Sequence, residues 1–479
     1  MSDVHQVLRE KFGFDHFRPG QERVIRDVIA GKDTVAILPT GMGKSLCYQL
    51  PAYMLEGTVL IVSPLIALME DQVANMKRNG EKRVVALNSF LSYTEKNRVM
   101  DQLAHYKFIY ISPEMLLQQH VMERLRMLQM ALLVVDEAHC ISQWGFDFRP
   151  DYLRMGEVFI ALGRPPILAL TATADEQVVA DISRYLQLNT PAIHRQSIDR
   201  PNISYAIVKL HAEREKTTFI VERVTTTKGP GIIYVASRKR ADQLATLLRE
   251  QGVSAAAYHA GKEQEDRAFI QEQFITGEIN WICATNAFGM GIHKNNIRQV
   301  IHEHIPKNSS DYLQEVGRAG RDGELSAATL LFSPEDEGKT RFIIQEDIPQ
   351  EWEIRHFARL LAEKIPAQEA AQMTNMSETA KRVIEYYMER MTVEEVIRRM
   401  AELLAEKEVQ LQKMLRLVQS ACCIRESLLA LFDERCDRKP TYCCSVCGTT
   451  EADWLTEQDL MNPGKRSMDW EERLVTLLG

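Results

Sequence analysis

The chain has 479 residues, too many for one ordinary domain, and its 45% hydrophobic and 26% charged content is that of a folded, water-facing protein. No apolar run approaches the ~20 residues that cross a bilayer, and the first residues lack a secretory apolar segment, so no membrane partner and a cytoplasmic, chromosome-associated location are expected. A net charge of −8 excludes coating nucleic acid by bulk charge but permits a local basic groove, because surface fields fade within ~8–10 Å.

The first 200 residues repeat one rhythm of short apolar run, turn and helical stretch. The runs are Thr34–Leu38, Val59–Val62, Val84–Leu87, Phe108–Ile111, Ala131–Val135 and Ile167–Leu170. They predict a parallel sheet covered by helices on both faces. A second series follows: Ile232–Val235, Ala255–Tyr258, Trp281–Ala284, Val300–His302 and Ala328–Phe332. Two α/β domains are therefore expected, 1–200 and 201–340, with the break near Asp199–Arg214, where Arg200-Pro201-Asn202 interrupts the pattern. After Pro334 the strand signal fades. Residues 341–450 read as a helical module, clearest over Val393–Leu415, and 451–479 as a short polar tail.

Within the first series, Leu38-Pro39-Thr40-Gly41-Met42-Gly43-Lys44-Ser45 follows a strand and opens a helix pattern. Its glycines let backbone N–H groups turn around phosphate oxygens, and the helix N-terminus adds partial positive charge. Lys44 would reach the β- and γ-phosphates of ATP, and the Ser45 hydroxyl would hold Mg²⁺. About 90 residues later, Asp136-Glu137-Ala138-His139 follows the buried run Ala131–Val135. Asp136 at a strand end suits Mg²⁺, and Glu137 suits the attacking water. In the second series, Gln314-Glu315-Val316-Gly317-Arg318-Ala319-Gly320-Arg321 places two arginines three apart, able to reach across a cleft to a transferring phosphoryl group.

Taken together these residues resemble a superfamily 2 helicase, and three further segments resemble the RecQ family. The first is Gly13-Phe14 with Phe17-Arg18-Pro19-Gly20-Gln21. There the resemblance implies that Gln21 reads the adenine edge, Arg18 contacts the nucleotide and Phe14 stacks on the base. The second is Cys140-Ile141-Ser142-Gln143-Trp144-Gly145-Phe146-Asp147-Phe148-Arg149. It is similar to an aromatic-rich loop in which Trp144, Phe146 and Phe148 would stack on unpaired bases and Arg149 would bind phosphate. The third is the later series: Ser63-Pro64, Ser112-Pro113, Thr171-Ala172-Thr173, Ser237-Arg238 and Tyr258-His259-Ala260-Gly261. By resemblance, Ser63, Pro64, Ser237, Arg238 and His259 track the DNA strand. Thr171-Ala172-Thr173 resembles the motif that links hydrolysis to lobe movement, and His139 and Gln314 belong to the catalytic motifs.

Of the nine cysteines, six lie between Cys422 and Cys447, which in a chain without a secretory segment reads as metal binding. Cys423, Cys436, Cys444 and Cys447 are separated by 12, 7 and 2 residues and fit a tetrahedral Zn²⁺ site. The resemblance to one RecQ subgroup favours this set; Cys443 competes with Cys436, and Cys422 shadows Cys423.

The fold class implied is two tandem RecA-like parallel-sheet domains followed by a small helical zinc-binding module, in a short bacterial branch of RecS type without winged-helix and C-terminal DNA-binding domains. The cofactors are ATP, Mg²⁺ and Zn²⁺. The implied activity is ATP-dependent 3′–5′ unwinding of duplex or branched DNA in recombination and repair. The partners implied are single-stranded and branched DNA, single-strand-binding protein and recombination factors, with a monomer as the acting unit. Two alternatives remain: an RNA helicase, and a nucleoprotein-remodelling or annealing factor with weak unwinding.

Overall fold

The computed structural model describes residues 3–39, 41–64, 66–88, 91–141, 150–227, 229–285, 288, 294–346, 348–449 and 455. Thirteen described strands form two sheets. The first contains β1 (Thr34–Ile37), β2 (Thr58–Val62), β3 (Val84–Leu87), β4 (Phe108–Ile111), β5 (Met130–Val135), β6 (Ile167–Thr171) and β7 (Ala192–Arg195), in the order β3-β4-β2-β5-β6-β1-β7. The second contains β8 (Ile203–Lys209), β9 (Gly231–Tyr234), β10 (Ala255–Tyr258), β11 (Trp281–Ala284), β12 (Gln299–His302) and β13 (Ser326–Phe332), in the order β10-β11-β9-β12-β13-β8. Every pairing between these strands is parallel.

The alternation of side chains explains why the strand runs are apolar throughout. In the first sheet Leu60, Val62, Leu133 and Val135 enter one core, while Val59, Ile61, Leu132 and Val134 enter the core on the opposite face. A parallel sheet with helices on both faces has no polar side, so every second residue cannot be hydrophilic. The second sheet divides likewise: Ile232 and Ile282 face one core, Ile233 and Cys283 the other.

Eleven strands coincide with the sequence expectation within a residue or two. The other two, β7 and β8, are edge strands. β7 alternates between half-buried and exposed positions and carries His194 and Arg195, so no apolar run marks it. β8 occupies the stretch expected to be a break and pairs with β13 over seven residues.

The helices Glu351–Ala362, Ala367–Met373 and Glu378–Met388 and the 27-residue helix Val393–Gln419 follow the second sheet. They do not form a free-standing appendage. Their own core takes in Leu153 of the first lobe, while the last turns of the long helix, from Leu411 to Val418, enter the core beneath the second sheet.

Candidate active site and nucleic-acid interface

The order β5-β6-β1 brings three loops to the carboxyl end of one sheet, the usual place for a ligand crevice in an open α/β fold. After β1 the phosphate loop turns through Gly41 (φ 85°) and Gly43 (φ 71°) into the helix Leu46–Met54. Both glycines adopt the left-handed region that a side chain resists. Gln21 Nε2 donates to the carbonyls of Met42 (2.8 Å) and Gly43 (3.0 Å), and its Oε1 accepts from the Arg18 N–H at 2.8 Å. Arg18 Nη1 donates to the Gly41 carbonyl. Gln21 and Arg18 therefore clasp the loop, and Phe14 is exposed. Pro39 borders the hollow between the lobes. Thr40 lies outside the described residues.

The acidic box sits after β5. Glu137 has φ 49°, a backbone strain of a kind that persists at functional sites. Its Oε1 lies 3.5 Å from Lys44 Nζ, while its buried Oε2, 3.4 Å from His139 Nδ1, makes no hydrogen bond among the described residues. Burial works to raise the Glu137 pKa, but the charge and hydrogen bond of Lys44, with the charge of Arg318 beyond it, outweigh it and hold the carboxylate below its ordinary value. Asp136 is pushed upward by burial and by the charge of Glu137, with Lys44 opposing. An ionised Glu137 with an unused oxygen can accept a water proton. A recessed, charge-crowded Asp136 gains from a cation, and Ser45, at the start of the helix after the phosphate loop, supplies a hydroxyl.

His139 is the link to the second lobe. Its Nδ1 lies 2.9 Å from Thr171 Oγ1, and the hydroxyl of Thr171 donates to the Thr173 carbonyl at 3.0 Å. Nδ1 must therefore carry the proton, leaving Nε2 to accept from Gln314 Nε2 at 3.0 Å. Burial lowers the His139 pKa to about 4, more than Glu137 raises it, so the ring is neutral and this tautomer persists at neutral pH. Gln314 belongs to the helix Ser309–Val316 between β12 and β13. The turn after it aims arginines at the first lobe: a Cβ placed on Gly41 would lie 4.0 Å from Arg321 Cγ. Arg318 is buried, and its Nε donates to the Tyr234 hydroxyl at 2.8 Å. Burial, then the charges of Arg318 and Arg200, lower the Arg321 pKa to about 10. Cations crowded opposite a phosphate loop make a site that an anion would relieve. Tyr234 was not anticipated from the sequence; its signal was a polar tip ending the apolar run of β9.

The chain is similar to known helicases. Residues 18–182 match the DEAD/DEAH box helicase family and residues 215–323 the helicase conserved C-terminal domain. Over 461 residues the chain is 43% identical to the probable ATP-dependent DNA helicase RecS of Bacillus subtilis strain 168, covering 94% of this chain and 92% of that one. The chain belongs to the RecQ family of ATP-dependent DNA helicases. It is also 43% identical over 333 residues to the ATP-dependent DNA helicase RecQ of Pasteurella multocida, covering 69% of this chain and 52% of the relative, so it spans about half of that protein's length. Mycobacterium smegmatis helicase Lhr, solved with single-stranded DNA and AMP-PNP, shares the fold: TM-score 0.56 at 22% identity, covering 79% of this chain and 55% of that one.

Of the residues expected to track the strand, Ser63 and Pro64 follow β2, as Ser112 follows the neighbouring β4, and all three are buried. In the second lobe Ser237 caps the helix Arg238–Glu250. Arg238 Cδ and His259 Nδ1 both come within 3.2 Å of a Cβ placed on Gly261, which puts an exposed cation beside the histidine. His259 Nε2 lies 2.9 Å from Asp242, and its Nδ1 accepts from the Gly261 N–H, so the ring is fixed rather than free. Trp144, Phe146, Phe148 and Arg149 lie outside the described residues.

The cysteine set differs from the expectation at one position. The four sulfurs that lie within 4.8 Å of one another belong to Cys423, Cys443, Cys444 and Cys447. Cys436 is half-buried beside the cluster and is not part of it. Cys443 enters because its carbonyl accepts from the Tyr205 N–H at 3.2 Å and Cys444 bridges Tyr205, which fastens this stretch along β8. The Cys423–Cys443 and Cys423–Cys444 sulfur separations are 3.6 and 3.8 Å. A tetrahedron with ~2.3 Å Zn–S bonds has edges of about 3.8 Å, so the donor set fits Zn²⁺.

Proposed function

We propose that this chain hydrolyses ATP in the interlobe cleft and uses the resulting closure and opening to move 3′ to 5′ along single-stranded DNA, separating duplex or branched DNA during recombination and repair. The observation that carries the reading is the contact across the cleft: Gln314 of the second lobe on His139 of the first, with Arg321 against Gly41 of the phosphate loop. Reactive groups divided between two bodies work only when those bodies meet, so hydrolysis and lobe position are coupled.

Lys44 and the loop N–H groups bind the triphosphate, and Gln21 with Arg18 holds the loop that receives it. Glu137 accepts the proton of the attacking water. Arg318 and Arg321 offset charge on the transferring phosphoryl group, an effect typically worth 10³–10⁵ in rate. Ser45 and Asp136 would hold Mg²⁺, which when bound neutralises charge on the β- and γ-phosphoryl oxygens. His139 reports the state of the box both to Gln314 and to Thr171, which begins the segment leading to the DNA-facing surface. Trp144, Phe146, Phe148 and Arg149, eight to thirteen residues after Asp136 in sequence, are the groups through which bound DNA would act on hydrolysis.

Strand displacement on duplexes with a 3′ tail, a 5′ tail or an RNA tail tests the reading. ATP-dependent unwinding of the 3′-tailed DNA alone is the expected result. Preference for the 5′ tail would overturn the polarity, preference for RNA the substrate class, and hydrolysis without displacement the motor itself.

A further inference from the structure

The segment joining the lobes is gripped by one guanidinium from the cysteine module. Arg425 is fully buried, two residues after Cys423 in the helix Ile424–Ala430. Its Nη1 donates to the Asp199 carboxylate and, at 3.1 Å, to the Arg200 carbonyl; its Nη2 donates to the Ile203 carbonyl. The guanidinium also lies 5.0 Å from the centre of the Tyr205 ring. Glu434 of the same module accepts from the Ser197 hydroxyl at 2.8 Å and from the Ile198 N–H at 3.2 Å. A buried charge is costly unless it is paired, and the acceptors of both Nη groups lie in the connecting segment and at the first residue of β8.

The next link runs from that segment to the catalytic arginines. Arg200 Nη1 donates to the Gly317 carbonyl at 3.3 Å, and Nη2 to those of Ala319 (3.2 Å) and Gly320 (2.6 Å). Asn202 Nδ2 donates to the carbonyls of Gly320 (2.8 Å) and Glu324 (2.9 Å). The helix Ser309–Val316 ends here, where unpaired carbonyls and the helix dipole favour a cation. These peptide groups flank Arg318 and Arg321, so Arg200 fixes the backbone from which both side chains reach the cleft.

We propose that Arg425 and Arg200 are positioning residues for ATP hydrolysis: Arg425 fixes the connecting segment from the cysteine module, and Arg200 passes that placement to the turn carrying Arg318 and Arg321. The inference rests on the reading of those two arginines as the cations of phosphoryl transfer.

The test compares full-length Arg425→Gln, Arg200→Gln, the double variant and Arg321→Ala. The readouts are DNA-stimulated kcat, KM for ATP, affinity for a fluorescent single strand, melting temperature and amide exchange at Gly320 and Asp322. Each glutamine variant is expected to lose about tenfold or more in kcat, with KM and DNA affinity within about threefold of wild type, and to exchange those amides faster. The double variant is expected to be no slower than the worse single one, as for two links of one chain. Unchanged kcat in Arg200→Gln, or losses that multiply in the double variant, would overturn the relay. Should Arg425→Gln melt below assay temperature, Arg200→Gln still decides, because it keeps Arg425 and all its acceptors. Full hydrolysis by Arg321→Ala would instead overturn the assignment of the catalytic cations, and the relay with it.

Discussion

Glu137 and Glu315 show how their neighbours set two buried carboxyls to opposite states. Glu137 faces Lys44 and stays ionised, with one oxygen making no hydrogen bond among the described residues. Glu137→Gln keeps the shape and removes the proton acceptor. ATP binding is expected to persist while kcat falls by about 10²–10⁴, read by nucleotide titration beside steady-state hydrolysis. Glu315 lies against His302 at 2.7 Å, and burial raises its pKa to about 8, opposed by Arg318. It is therefore neutral at pH 7 and does not neutralise Arg318. The unfolded chain ionises this group near its ordinary value, 4.5, so the folded state holds an extra proton between about pH 4.5 and 8. Stability falls with rising pH across that window, by up to about 1.4 kcal/mol per pH unit, and levels off above it. Glu315→Gln lacks that slope. Its melting temperature is expected to match wild type near pH 5 and to exceed it near pH 8.5; parallel curves would show that Glu315 is ionised throughout.

At the scale of elements, the turn from Gly317 to Glu324 is tightly constrained at Gly320. Gly320 has φ 54°, and a Cβ there would meet Asn202 Nδ2 at 2.4 Å and the Glu324 carbonyl oxygen at 2.6 Å. Gly323 also has positive φ, 89°, but nothing lies within 4 Å of its Cβ position. Gly320→Ala is expected to cost about 2–4 kcal/mol through overpacking and backbone strain, against about 1 kcal/mol for Gly323→Ala, measured by denaturant unfolding. Equal costs would mean that the turn yields freely. This contrast was not legible in the sequence, where both are glycines in one motif. What was legible had a local cause. Central strands announce themselves because each residue of β2 or β6 is buried on one face or the other. The phosphate loop and acidic box are legible because they follow such strands. β7 escaped because its solvated edge tolerates His194 and Arg195, and β8, though mostly buried, because the polar Ser204 breaks its apolar run right after the Arg200-Pro201-Asn202 break. The choice between Cys436 and Cys443 was not legible because the place of Cys443 in the cluster depends on its backbone bond to Tyr205, more than two hundred residues away, which spacing does not record.

At the scale of the molecule, the helices after the second sheet act as a brace. Arg382 reaches Asp151 at 2.9 Å, Arg390 reaches Glu157 at 2.6 Å and Arg154 reaches Glu389 at 2.8 Å, all joining this region to the stretch of lobe one that follows residue 149. Partly exposed pairs of this kind contribute only ~0–1 kcal/mol each, so the apolar contacts hold the brace. At its other end the core is shared: Leu411, Met414, Cys423, Leu428, Cys443 and Cys444 pack in one cluster with Ile232, Tyr234, Ile282 and Val300 of the second sheet. Residues held by the metal would thus form one wall of the second lobe's interior. Cys443→Ser and Cys444→Ser are expected to lose bound zinc, whereas Cys436→Ser keeps close to one equivalent, as read by elemental analysis. Because structural zinc sites contribute ~10–16 kcal/mol of apparent binding energy in small peptides, stripping the metal is expected to lower the unfolding temperature of the whole second lobe. Amide exchange separates this from a local effect. Faster exchange in β9, β11 and β12, with β1, β2 and β5 unchanged, is the signature of one shared core, while exchange confined to residues 420–449 would show that the module unfolds alone.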